Sequence, residues 1–177
     1  MTEPRWLGED ERQAWVTWVF ASRLFWEEVE RDLQRESGLP FGYYDVLVML
    51  SESPGRRLRM SDLADCTQSS RSRLSHAVTR LEALGWVRRE PCAADRRGAE
   101  AVLTDEGFEA LTVAAPHHVE SVRRHLFDVL TPEQQVQLAD ISTTLLDHLL
   151  PIVAARGDGR PAQFERAVRT SGHNAPD

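Results

Sequence analysis

The stretch from Arg59 to Thr104, RMSDLADCTQSSRSRLSHAVTRLEALGWVRREPCAADRRGAEAVLT, constrains the chain more than any other. It sets out a short helix, a turn, a longer helix and an arginine-loaded hairpin in that order. Ser61 is placed to cap the short helix, with Leu63 and Ala64 facing inward. Ser69 or Ser70 caps the longer helix, which runs to about Leu84 and stops at Gly85, a glycine suited to a helix C-terminus. At about 100° per residue, Leu74, Ala77, Val78, Leu81 and Leu84 fall on one stripe. Ser72, Ser75, His76 and Thr79 fall on the opposite side, with Arg73 and Arg80 on one flank and Ser70 and Arg71 at the start. Hydroxyls and an imidazole can bond base edges, and arginine can bond guanine or phosphate, so this face suits a DNA major groove.

After Gly85, residues 86–89 (WVRR) read as a strand, 91–98 (PCAADRRG) as a turn and 99–103 (AEAVL) as the returning strand. Arg96 and Arg97 then stand at a hairpin tip, where arginines meet phosphates or a minor groove. Asp95 is placed to hold one of them. A helix in one groove with a β-wing beside it is a winged helix-turn-helix. The expected fold class is therefore mainly α with a small β-wing, joined to a helical dimerisation region.

The net charge of −7 argues against nucleic acid, but its distribution reverses that. Residues 56–100 hold ten arginines against six acids, leaving −11 on the rest of the chain. Attraction to phosphate acts over a Debye length, roughly 8–10 Å, so the local surplus counts. No run approaches the ~18 apolar residues of a membrane span, and no secretory signal is visible. Two cysteines without metal spacing fit a cytoplasmic protein with no disulfide framework. Cys66 reads as a small buried residue, with a redox or metal role as the alternative. Cys92 reads as a surface residue, with a thiol switch as the alternative.

Elsewhere the chain reads as helix. Residues 9–37 lack proline and glycine and carry Trp15, Trp18, Val19, Ser22, Phe25, Trp26, Val29 and Leu33 at helical spacing, closed by Gly38 and Pro40. This apolar load is for core or dimer packing, or for lining a pocket for an aromatic ligand. Residues 41–51 form a second helix with Tyr44, Leu47, Val48 and Leu50 for the core. Thr104 begins a helix after the wing, with Pro116 inside it. Thr131 caps a last helix, with Pro132 in its first turn. That helix carries Leu138, Ile141, Leu145, Leu146, Leu149 and Leu150, too apolar for one buried stripe, and burial between subunits is its outlet. Residues 156–177 read as a flexible polar tail. His117 and Glu120 have i, i+3 metal spacing, but solvated or core histidines are the better reading, so neither metal nor cofactor is expected.

The phrase SDLADCTQSSRSRLSHAVTRLEALGWVRRE, the wing's Asp95-Arg96-Arg97 and the exit LTDEG resemble the MarR (multiple antibiotic resistance regulator) family of bacterial transcription factors. The likeness covers about residues 9–153. It implies a homodimer in which helices 9–37 and 116–155 interleave and a winged domain, 41–104, reads half of a pseudo-palindromic operator in double-stranded DNA. It further implies that Arg97, with Arg96 beside it and Asp95 in support, reaches the minor groove. Most relatives are repressors, many released by a small phenolic or anionic ligand bound between the two parts. Trp15, Trp18, Tyr44 and His117 are the expected pocket walls. The chain lacks the first-helix cysteine of the peroxide-sensing branch. No Gly-rich phosphate loop or nucleophile motif supports an enzyme. A winged helix used for protein contacts alone is opposed by the arginines on both helix and wing.

Overall fold

In the computed structural model the described residues are 3–92 and 95–155, with the side chains of residues 95–97 and 154 outside the description. The order is α1 (Glu9–Ser37), α2 (Phe41–Ser51), β1 (Arg57–Arg59), α3 (Met60–Cys66), α4 (Arg71–Ala83), β2 (Val87–Cys92), β3 (Asp95–Leu103), α5 (Asp105–His125) and α6 (Pro132–Ala155). The mainly helical architecture with a small β-wing is as expected. The residues expected to form a tail, 156–177, lie outside the described residues.

Helix α1 begins where the Glu11 carboxylate accepts the backbone N–H of Gly8 at 2.8 Å, a one-way brace on the first turn. It ends at Gly38, whose φ of 68° is the left-handed cap that glycine adopts without strain. Val29 and Leu33 near its C-terminal end are buried. Its N-terminal half is bare: Trp15, Trp18, Phe20, Leu24 and Trp26 are each more than half exposed. Most of the apolar load of α1 before Val29 is therefore not spent on this chain's own core.

That core centres on the winged domain and takes in Leu33 of α1 and Leu111 and Ala114 of α5. Tyr44, Val46, Leu47 and Leu50 of α2 meet Leu63 of α3, Leu74, Val78 and Leu81 of α4, and Leu103 of β3. Val48, expected in the core, is only partly buried, and Val46 fills that place instead. Leu84, expected on the apolar stripe of α4, is 53% exposed, because α4 has ended at Ala83 and Leu84 serves as its C-cap. The expected Ser61 cap of α3 is also corrected. The helix starts two residues earlier, with Arg59 as N-cap, and the Ser61 hydroxyl bonds Asp62 instead.

The sheet has three strands in the order β1-β3-β2, all antiparallel. The sequence reading missed β1, which pairs Leu58 with Ala101. The hairpin strands also run further than expected. Pairing continues to Cys92 opposite Asp95, with a register irregularity between Pro91 and Cys92, so Arg96 and Arg97 belong to the returning strand. Pro91 is tolerated because β2 is an edge strand, where a missing N–H need not break the ladder.

Two joints fix the domain to its neighbours. Thr104 accepts the Gly107 N–H at 3.0 Å, donates its hydroxyl to the Gly85 carbonyl at 2.8 Å, and donates its own N–H to the Trp86 carbonyl at 3.0 Å. The turn after α4 is thereby tied to the start of α5. Pro116 lies within α5 without ending it. At the other end of α5, the buried Asp32 of α1 receives the Ser121 hydroxyl at 2.9 Å, with His125 Nε2 at 2.9 Å and Arg35 at 2.7 Å. Burial alone would raise the Asp32 carboxyl; the bonds from His125, Ser121 and Arg35 outweigh it and hold the group at about 2.

Thr131 and Gln134 bond reciprocally, N–H to side chain, at 2.9 and 3.3 Å to start α6. Beyond that start α6 stands clear of the rest of the described chain, and Val136, Ile141, Leu145 and Leu149 are exposed.

Candidate nucleic-acid interface

Helix α4 is set by its buried side. Leu74, Val78 and Leu81 are at most 2% exposed, which leaves one orientation for the rest. Ser70 caps the helix by accepting the Arg73 N–H at 3.3 Å. Ser70, Arg71, Ser72, Arg73, Ser75, His76, Thr79 and Arg80 are all exposed. The structure thus brings these residues onto one outward surface, as their spacing required.

The arginines around this surface fall into two sets. Arg88 is paired with Glu90 at 2.6 Å, Arg57 with Glu100 at 3.4 Å, and Arg56 with Asp105 at 3.0 Å. The bond from Arg88 holds the Glu90 carboxyl below its ordinary value. Among the described residues no carboxylate pairs with Arg59, Arg71, Arg73 or Arg80. Such guanidiniums are available to an anion without breaking an existing pair. A cleft of about 470 Å³ opens between α4 and the wing, lined by Arg59, Ser61, Arg71, Ser75, Arg89, Gly98 and Ala99 among others. Among the described residues three arginines and no acid line it, which makes it a basic groove.

Arg89 was not singled out by sequence reasoning. It comes from β2 and lies along α4, where its guanidinium bonds Glu82, the Ser75 carbonyl at 2.9 Å and the Thr79 hydroxyl at 3.1 Å. The sequence signal is the spacing of Glu82 and Arg89 on either side of the Gly85 turn. The side chains of Asp95, Arg96 and Arg97, named as wing contacts, lie outside the described residues.

The four expected pocket walls are not brought together. Trp15 and Trp18 stack on each other, with ring centroids 5.7 Å apart, on the exposed half of α1. Tyr44 stacks at 4.7 Å on His118, not on His117. Phe41 joins that pair and Trp26 at 5.5–6.4 Å, making an aromatic cluster of α1, α2 and α5. Burial pushes the Tyr44 hydroxyl up to about 12 and lowers His118, so both are neutral at pH 7. The Nδ1 of His118 is buried without a hydrogen-bond partner among the described residues. His117 instead lines a separate cavity of about 110 Å³ with Asp32, Glu36, Glu120, Ser121 and Arg124. Among the described residues no three His, Cys, Asp or Glu side chains are grouped to hold a metal.

Cys92, expected at the surface, is instead turned inward by the longer hairpin to 4% exposure, with Sγ 3.5 Å from Glu100. Cys66 is half-buried, and burial, with Asp62 and Asp65 nearby, pushes its thiol up to about 11. It is a protonated packing group at pH 7.

Comparison with known proteins agrees with this geometry. The MarR family model matches residues 37–98, from the end of α1 into the wing. The HTH-type transcriptional regulator PecS of Dickeya dadantii is 33% identical over 93 residues, covering 51% of this chain and 54% of PecS, so the match spans about half of that relative. The transcriptional regulator HosA of Escherichia coli O127:H6 is 30% identical over 113 residues, covering 64% of this chain and 82% of HosA. Among solved structures, Sco3205, a MarR family transcriptional regulator of Streptomyces coelicolor in complex with DNA, is 51% identical. It covers 84% of this chain and 93% of its own, with a TM-score of 0.75. AbsC of the same organism is 49% identical, with 84% and 99% coverage and a TM-score of 0.74. On these grounds the chain belongs to the MarR family of transcription regulators, which are not enzymes.

Proposed function

We propose that this protein is a homodimeric repressor that binds a pseudo-palindromic operator in double-stranded DNA and is released by a small aromatic or anionic molecule. The observation that carries the reading is the outward face of α4, where Ser72, Ser75 and His76 stand among Arg71, Arg73 and Arg80, which no described carboxylate pairs. Each winged domain, residues 41–104, lays α4 in a major groove. The arginines of α4 and the basic cleft take phosphates, and Arg97, with Arg96 beside it and Asp95 in support, enters the minor groove. The structure of the DNA-bound Sco3205 supports the choice of partner.

Residues 9–37 and 116–155 form the dimer. Exposed apolar side chains on the N-terminal half of α1 and along α6 support this, since surfaces of this kind are normally covered. The effector enters the aromatic cluster of Trp26, Phe41, Tyr44 and His118, which joins dimer helices to the DNA-binding part. The unpartnered His118 Nδ1 offers such a ligand one directed hydrogen bond. Among the described residues no helix is long and apolar enough to cross a membrane. A cytoplasmic site of action follows from the DNA partner.

The test is a gel-shift with the gene's own upstream DNA against scrambled DNA at two salt concentrations. Specific binding with dimer stoichiometry that weakens steeply with salt supports the reading. Equal binding to both DNAs at either salt contradicts it.

A further inference from the structure

We propose that Arg89, held by Glu82, is a positioning residue that commits the Thr79 hydroxyl to the protein, so that Thr79 meets the base pairs through its methyl group. This inference rests on the operator-reading function proposed above and assigns specificity within it.

Glu82 fixes Arg89 twice. Its carboxylate accepts the Arg89 backbone N–H at 3.0 Å and the guanidinium Nη1. Both side chains are only 29% exposed, so solvent competes weakly for the pair. The second guanidinium nitrogen then reaches back along α4 to the Ser75 carbonyl at 2.9 Å and the Thr79 hydroxyl at 3.1 Å. The Thr79 hydroxyl donates its own proton to that same Ser75 carbonyl at 2.9 Å.

A hydroxyl has one proton and two lone pairs. In Thr79 the proton and one lone pair are already engaged. The residue is exposed on the groove-facing surface, and what it has left to present is chiefly a methyl group. A methyl on a recognition helix reads the 5-methyl of thymine by apolar contact. Ser75 differs, because its hydroxyl has only a 3.5 Å contact with Arg89 and keeps its proton free. Polar reading therefore falls to Ser72, Ser75 and His76, and apolar reading to Thr79. An arginine is required for the arrangement, since a lysine ammonium cannot span Glu82 and Thr79 with a rigid fork.

The test is selection of preferred sites from a random DNA library by the full-length wild type and by T79V, T79S and R89K, with thermal unfolding of each. T79V is isosteric and keeps the methyl, so its preferences should match the wild type at every position. T79S loses the methyl and should lose roughly tenfold discrimination at one base pair of each half-site. R89K keeps the charge beside Glu82 but frees the Thr79 lone pair that Arg89 engages, leaving it open to a base donor. It should shift preference at that same base pair, with the unfolding midpoint little changed. A merely structural Arg89 would lower the midpoint and leave base preference alone, which overturns the proposal. So does a T79V that loses the preference, or a T79S that keeps it. A wild type that selects no sequence overturns the operator-reading function itself, a result distinguishable from either.

Discussion

A Cβ on Gly107 would lie 2.1 Å from the carbonyl oxygen of Trp86, so at this point the first turn of α5 and the turn that closes α4 meet backbone to backbone. This joint fixes where α5 leaves the winged domain. An alanine in an exposed helix normally gains about 1 kcal/mol over glycine. Here the added methyl meets backbone that cannot swing aside, so the sign reverses. Gly107→Ala should lower stability by about 3 kcal/mol, the upper range for overpacking. Urea unfolding checks this, and a neutral or stabilised variant would refute the close approach.

The buried Asp32 joins α1 to α5 and gives stability a pH dependence. Its carboxyl sits at about 2 in the folded chain, against an ordinary 3.8. A depressed folded value means that the contribution is complete above about 4 and fades as pH falls towards 2. Asp32→Asn should cost about 1–3 kcal/mol near neutral pH, because Arg35 and His125 lose a charged partner. The gap between variant and wild type should narrow below about pH 4. Unfolding curves taken at several pH values would show a constant gap if Asp32 were an ordinary exposed acid.

The arginines should separate by role. Arg80, unpaired on the flank of α4, contacts phosphate in this account. Arg80→Ala should weaken binding to all sequences alike and lower the salt slope by about 1. Changes at Ser72 or His76 should alter which sequences are preferred. Arg97→Ala should weaken operator binding strongly and leave thermal stability nearly intact. Fluorescence anisotropy against salt, with matched and mismatched DNA, distinguishes these outcomes, and an unchanged affinity in Arg97→Ala removes the wing from the mechanism.

Dimerisation should depend on side chains that the single chain leaves bare. Ile141 and Leu145 are 58% and 45% exposed on α6 and contribute nothing to the winged-domain core. The double change Ile141→Asp and Leu145→Asp should convert dimer to monomer in sedimentation equilibrium, with the winged domain still folded. A wild type that sediments as monomer would contradict the dimer assignment.

Much of the fold was legible because local rules and tertiary packing agree. Gly38, Ser70, Thr104 and Thr131 each mark a helix end by cap chemistry that the structure repeats. The exposed face of α4 followed from the positions of Leu74, Val78 and Leu81 alone. Strand β1 was not legible, since three residues carry no period and its partner Ala101 lies far along the chain. The hairpin length was misjudged because Pro91 reads as a turn residue, whereas its place on an edge strand makes it harmless. The aromatic cluster was missed for two geometric reasons. His117 and His118 differ by about 100° on α5, enough to send one to the Asp32 cavity and the other to Tyr44. Trp15 stands eleven residues before Trp26, about 16 Å along the α1 axis and out of reach of Tyr44. Periodicity gives the face of a helix but not the height at which a neighbour crosses it.

A dimer that presents two copies of α4 to DNA leaves a divided chemical footprint on the gene's upstream region. The account predicts two protected, inversely related half-sites about 10 base pairs apart centre to centre, or a multiple of that, with protection lost when Arg71, Arg73 and Arg80 are changed together to alanine. Protection of a single undivided patch, or protection that survives the triple change, would contradict it.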